Sequence, residues 1–320
     1  MQIQKAPSER VILRTLAYYD IFKYPLTEKD ISEGLSLDEN TANEYRNTLD
    51  HLTKKGIIYK FGDYYSLTND ERYVHQRIKG NMRAGQWMKK AHRFSRLISH
   101  FPFVRSVSLS GSLSKGFIGE DPDIDYFIIT EPNRLWLART MLVVFKKAFL
   151  FNSHKYFCIN YFIDTENLEI EEKNLFTATE VKTLIPVYGE QVARDFFSEN
   201  NWIRKYYPNF KVNGLESIHV ARSSVMKRVF EFLLNGKHGE WMDNRFMDIT
   251  VNHWYKKFQN KYSDEEFNLV FKSNKKISKH HPRNFQKKVL IEFNNRLMEL
   301  RKNYNIDIEP EPLVLNNRKL

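Results

Sequence analysis

A chain of 320 residues with net charge +11, an ordinary apolar share and 14% aromatic residues has material for a sizeable core and for two or three domains. No apolar run approaches the roughly 20 residues that span a bilayer. The first ten residues lack a signal-peptide apolar core, and the single cysteine, Cys158, excludes an internal disulfide and gives no cysteine-based metal site. A cytoplasmic protein with no membrane partner is the expectation.

Residues 1–70 read as one unit. Glu9 to Phe22 carries Val11, Ile12, Leu13, Leu16, Ala17 and Tyr19 on a helical apolar face, and Tyr24-Pro25-Leu26 breaks it. Thr27 to Asp30 supplies a capping-type start for a short helix through Leu35. A longer helix opens at Ser36 or Asp38 and ends at Gly56, with Ala42, Tyr45, Leu49 and Leu52 on one face. Ile57–Phe61 and Tyr64–Leu67 flank Gly62-Asp63, a two-residue hairpin turn. Residues 71–100 read as a charged amphipathic connecting helix, whose histidines His75, His92 and His100 lack ligand spacing.

Residues 101–187 carry the chemistry. Strands are expected at Val104–Ser110, Ile124–Thr130 and Tyr156–Ile163, with a helix from Pro132 to about Phe151 between the last two. Side chains two apart on a strand share a face, so Asp123 and Asp125 stand side by side. Two carboxylates held that close repel unless a cation lies between them, and magnesium favours one or two carboxylates plus substrate phosphates. The Gly111-Ser112 turn presents backbone N–H groups and a hydroxyl to such phosphates. The net charge is +5 over residues 1–100, −4 over 101–200 and +10 over 201–320. An acidic centre between basic flanks suits a site for metal and a polyanion, and equally an ordinary solvated surface. Residues 188–306 read as helical, with helices at Glu190–Glu199, Ser217–Leu234, Glu240–Lys261 and Pro282–Tyr304. Asn235–Gly239 and Lys272–His281 read as connectors, the adjacent His280 and His281 make a poor metal site, and 307–320 reads as a loose tail.

Helix, helix, helix and hairpin in residues 9–68 resemble a winged helix-turn-helix domain. In that family the third helix reads DNA, but here Glu39, Glu44, Arg46, Asp50, Lys54 and Lys55 make a mixed face, which favours protein contact over nucleic acid. Gly111-Ser112, ten residues, then Asp123-Ile124-Asp125-Tyr126 resembles the signature of the polymerase-beta-like nucleotidyltransferase superfamily over roughly residues 101–190. The fold class expected is therefore α+β, a small mixed-sheet nucleotidyltransferase core between a winged helix and a helical C-terminal domain.

The resemblance implies that Asp123 and Asp125 hold Mg2+ or Mn2+, and that Gly111, Ser112 and Lys115 hold the phosphates of a nucleoside triphosphate, ATP being expected. It implies transfer of a nucleoside monophosphate to an acceptor hydroxyl on a small molecule, a protein or an RNA. The family's third carboxylate belongs on the next strand, where this chain has Asn160 mid-strand and Asp164 at the end. Asn160 is a candidate ligand and Asp164 a candidate catalytic group. Three arrangements stay open: a two-carboxylate site, one completed by Asp164 or by Glu180 of the following helix, or a nucleotide-sensing or nucleic-acid-binding regulator without turnover.

Overall fold

The computed structural model of the chain describes residues 7–33, 39–153, 155–212, 214–215, 218, 224–280, 284–312, 314–316 and 318–319. The N-terminal unit runs α1 (Pro7–Asp20), β1 (Leu26–Thr27), α2 (Glu28–Ser32), α3 (Glu39–Lys54), β2 (Tyr59–Phe61) and β3 (Tyr64–Ser66). Thr27 and Asp30 close a reciprocal capping box at α2, as their spacing suggested. Leu26 and Thr27 do more than break the chain, since they pair with Tyr65 and Tyr64 as a third strand beside the hairpin. The expected starts at Ser36 or Asp38, at Ser217 and at Pro282, the helix end at Leu35, and His281 lie outside the described residues.

Helix α4 (Arg72–Ser99) joins this unit to the rest. Arg77 is the clamp at its start. Its guanidinium lies 2.8 Å from Asp30 Oδ2, 4.4 Å from the Tyr24 ring centre and 5.0 Å from that of Tyr64. Beyond α4 come β4 (Val104–Ser110), α5 (Gly111–Ser114), β5 (Asp125–Thr130), α6 (Leu135–Phe149), β6 (Cys158–Asp164), α7 (Leu175–Thr183), β7 (Ile185–Tyr188) and α8 (Glu190–Glu199). A 3-10 turn, Asn201–Lys205, leads to α9 (Val225–Leu233), α10 (Gly236–Phe258), α11 (Asp264–Val270), β8 (Ser273–Asn274), β9 (Ile277–Lys279) and α12 (Phe285–Tyr304).

Among the described residues, six strands form one mixed sheet in the order β7-β4-β5-β6-β9-β8. The β5–β6 pair is parallel, joined through α6, and the other pairs are antiparallel. One face packs Val107, Leu109, Tyr126, Ile128, Ile159 and Phe162 against α4, α6 and α10. The other packs Phe127, Ile129 and Ile163 under α7, α8 and the 3-10 turn. The architecture is α+β with a mixed sheet.

Three expectations need correction. Lys272–His281 is not a plain connector, because it supplies β8 and β9, so the sheet draws strands from beyond residue 187. Asn235–Gly239 is not a connector either; Asn235 accepts from the Gly236 N–H and α10 starts there. Nor do the residues from 307 onward begin a loose tail. Ile308 is buried with α1 and α12, and Glu311 meets Arg14 at 2.6 Å and the Tyr206 hydroxyl at 2.9 Å. Helix α12 shares its core with the N-terminal unit through Val289, Phe293, Leu297 and Leu300.

Candidate functional site

The site forms where β4 ends and where β5 and β6 begin. Ser110 pairs with Asp125, and Asp125 pairs with Cys158 in the parallel register, which puts three chain segments at one edge position. Gly111 turns the chain out of β4 at φ +68°. A Cβ there would lie 2.2 Å from Asp125 Oδ2, so only glycine lets the carboxylate seat against the turn. Sequence spacing thus brought Gly111, Ser112, Asp123 and Asp125 into one locality, with Ile124 between the aspartates buried in the core.

Ligand atoms of Asp123, Asp125 and Cys158 lie within 4.8 Å of one another. Asp123 is exposed, Asp125 half-buried and Cys158 buried. Burial pushes the Asp125 carboxyl up to about 6, and the charges of Asp123 and Glu180 push the same way. A hydrogen bond with Cys158 and the Lys115 charge oppose them. Burial, then the Asp125 and Asp123 charges, raise the Cys158 thiol far above its usual range, so it stays a protonated donor at neutral pH. The pair of carboxylates is therefore a concentration of negative charge that the Lys115 charge offsets in part.

Lys115 stands beside this pair. Its Nζ donates to the Gly111 carbonyl at 3.1 Å and lies 2.9 Å from Glu180 Oε1 on α7. Glu180 is thus at the cleft rather than on an unrelated surface. Asn160 also reaches the cluster, but through its donor nitrogen. Nδ2 is 2.8 Å from Cys158 Sγ and 3.5 Å from Asp125 Oδ1. In this orientation Asn160 braces the two side chains through its N–H, and its carbonyl oxygen is the atom that could ligate a cation.

Asp164 is not brought to the site. It pairs with Thr130 at the far end of β5 and β6, about 20 Å from Cys158 at 3.3 Å per residue. It is buried and accepts from the Glu166 N–H at 3.1 Å, which makes it the start of a turn. A bulge also separates it from Asp125 in phase. Tyr126 pairs with Ile159 and Phe127 with Tyr161, so Asn160 is the extra residue. Alternation shifts by one there, sending Tyr161 and Ile163 to the α7 face and Phe162 to the α4 face. Cys158 is the member that sequence reasoning missed; its register opposite Asp125 was the signal.

Two hard carboxylate oxygens beside a glycine turn fit magnesium or manganese, whereas a neutral thiol adds little to the affinity of such an ion. Among the described residues, no helix is long and apolar enough to cross a membrane. No protein-family model, curated protein or solved structure matches the chain.

Proposed function

We propose that the chain is a divalent-metal-dependent nucleotidyltransferase of the polymerase-beta-like kind, moving a nucleoside monophosphate from a triphosphate, ATP in the first instance, to an acceptor hydroxyl. The observation that carries the reading is the seating of Asp125 against Gly111, with Asp123 beside it, so that two carboxylates stand together at the turn. Asp123 and Asp125 would hold the ion. Magnesium, when bound, neutralises the triphosphate and stabilises charge on the attacking and leaving oxygens.

The chain's own residues then have distinct tasks. Gly111 and Ser112 offer the turn to the phosphates. Lys115 exchanges its ion pair with Glu180 for one with a phosphate oxygen, drawing the triphosphate against the turn. The exchange leaves Glu180 as the third carboxylate near Asp125, placed to take the acceptor proton. A bond forms between the acceptor oxygen and the α-phosphorus, the α–β anhydride bond breaks, and pyrophosphate leaves. The N-terminal order of helices and hairpin supports a winged-helix reading of residues 7–66, used for protein or nucleic-acid contact.

A second reading rests on Asn160. With an amide where a carboxylate is expected, the site would bind nucleotide as a sensor and transfer nothing. The two part in one assay. The chain is given each labelled triphosphate with Mg2+ or Mn2+ and a panel of acceptors, and pyrophosphate release is followed. Release abolished in folded Asp123→Ala and Asp125→Ala variants supports transfer. Release that survives both substitutions refutes it, and tight binding without release favours the sensor.

A further inference from the structure

Helix α4 has a composition that its structural role does not require. Its 28 residues carry eight Lys and Arg and no Asp or Glu. Solvated helices are ordinarily supported by opposite charges at i,i+4, and like charges at that spacing cost stability. Among the described residues, ion pairs meet part of this charge: Arg77 meets Asp30 at 2.8 Å and Arg72 meets Asp70 at 2.7 Å. Lys79, Arg83 and Lys90 are exposed at spacings of four and seven, which puts them on one stripe with Arg72, His75 and Trp87.

Two features make this stripe a surface with a direction. At one end, Arg72, His75, Lys79 and Arg83 form one wall of a groove of about 530 Å³, and Phe117 to Glu120 form the other. Glu120 is the one carboxylate lining it. That second wall is the segment between the Gly111 turn and Asp123. It is pinned to α4 by the Ile118 N–H on the Gly80 carbonyl at 3.1 Å and by Arg83 Nη1 on the Gly119 carbonyl at 3.3 Å.

Further along, cations and rings interleave. Trp87 stacks on Tyr156 at 5.2 Å between centroids, and Lys90 lies 5.1 Å and Lys155 5.5 Å from the Trp87 ring. Lys155 is also tied to the site, because its carbonyl accepts from the N–H of Ile124, the residue between Asp123 and Asp125.

We propose that the α4 stripe is a track for a single-stranded nucleic acid, and that this strand is the acceptor whose end reaches Asp123 and Asp125. Naming the acceptor rests on the transferase reading above; the track itself does not. Phosphates are met by lysine and arginine, and an unstacked base by the half-exposed Trp87 ring, which is the combination single strands require. A duplex keeps its base faces covered and would gain only the charge. An acidic protein would use the cations but not the exposed part of Trp87, whose remainder packs against the core.

The test is fluorescence anisotropy of the full chain with labelled 20-nucleotide single-stranded RNA and DNA, the matching duplex and a polyglutamate competitor, without magnesium or triphosphate. Four exposed cations, Lys79, Arg83, Lys90 and Lys155, give an expected slope of log affinity against log salt of about −2.8, at about 0.7 per phosphate. Lys79→Glu with Arg83→Glu lowers that slope by about 1.4. Trp87→Ala weakens binding by roughly 5- to 150-fold, the worth of one stacked base. Lys90→Gln with Lys155→Gln gives the same direction from exposed positions that leave the core intact. Lys256→Glu with Lys257→Glu on α10 changes less than either pair.

Binding of neither strand, equal binding of the duplex, equal competition by polyglutamate, or indifference to the Lys79 and Arg83 reversals overturns the track. Strand binding that persists in Asp123→Ala, without pyrophosphate release by the native chain, keeps the track and removes the transferase reading. Release to another acceptor without strand binding does the opposite.

Discussion

Gly111→Ala is the substitution whose consequence is most closely determined. At φ +68° an alanine carries about 1–2 kcal/mol of left-handed strain. Its Cβ would also lie 2.2 Å from Asp125 Oδ2, against an ordinary contact of about 3.5 Å, so the carboxylate has to move by about 1 Å or more. Misplacement on that scale costs on the order of 100-fold in a site that works by positioning. Gly116→Ala is the matched control, since its φ is +71° and a Cβ there meets nothing within 4 Å. Urea unfolding should show Gly116→Ala losing about 1–2 kcal/mol and Gly111→Ala at least as much, since the clash adds to the strain. Only Gly111→Ala should lose pyrophosphate release and Mn2+ affinity. Equal loss of turnover in the two variants, or full turnover in Gly111→Ala, refutes the reasoning.

Other expectations concern single groups. Asp243, buried on α10 and accepting from the Leu137 N–H at 2.7 Å, has its carboxyl pushed up to about 6 chiefly by burial. Its folded pKa lies above the unfolded one, so the folded state holds the extra proton and Asp243 erodes stability as pH rises from about 4 to 6. Asp243→Asn should therefore gain on the native chain by up to about 3 kcal/mol between pH 4 and pH 7 in urea titrations, and parallel curves would contradict this. Asp164→Asn should leave turnover unchanged, as a turn residue would; lost activity in a folded variant would restore it to the site. The half-exposed Lys115–Glu180 pair is worth only about 0.2–1 kcal/mol, so Glu180→Gln should hardly alter unfolding. It should lower turnover at unchanged triphosphate affinity, while Lys115→Met lowers the affinity, and normal turnover in Glu180→Gln would exclude it as the third carboxylate.

What was legible in the sequence was what local rules determine. The capping box at Thr27, the strands flanking Asp125 and the turn at Gly111 depend on neighbours a few residues away. The spacing of Asp123 and Asp125 gave their company correctly for the same reason. Asp164 sits at the strand end, as its position suggested, and that distance keeps it from the cluster. The bulge at Asn160 also shifts its alternation, and no periodicity in residues 156–164 records the extra residue. Strands β7, β8 and β9 are two to four residues long, too short for any pattern, and exist because the sheet edges accept them. The docking of Glu311 on Arg14 and Tyr206 joins positions far apart in sequence, which composition could not foretell.

The central claim is that Asp123 and Asp125 hold a metal–triphosphate. Electron paramagnetic resonance of Mn2+ with a non-hydrolysable triphosphate reads this without needing an acceptor. The account predicts that the triphosphate raises bound Mn2+ in the native chain and in Asp164→Asn, but not in Asp123→Ala or Asp125→Ala. Equal Mn2+ binding in the native chain and both alanine variants, with or without triphosphate, would contradict it.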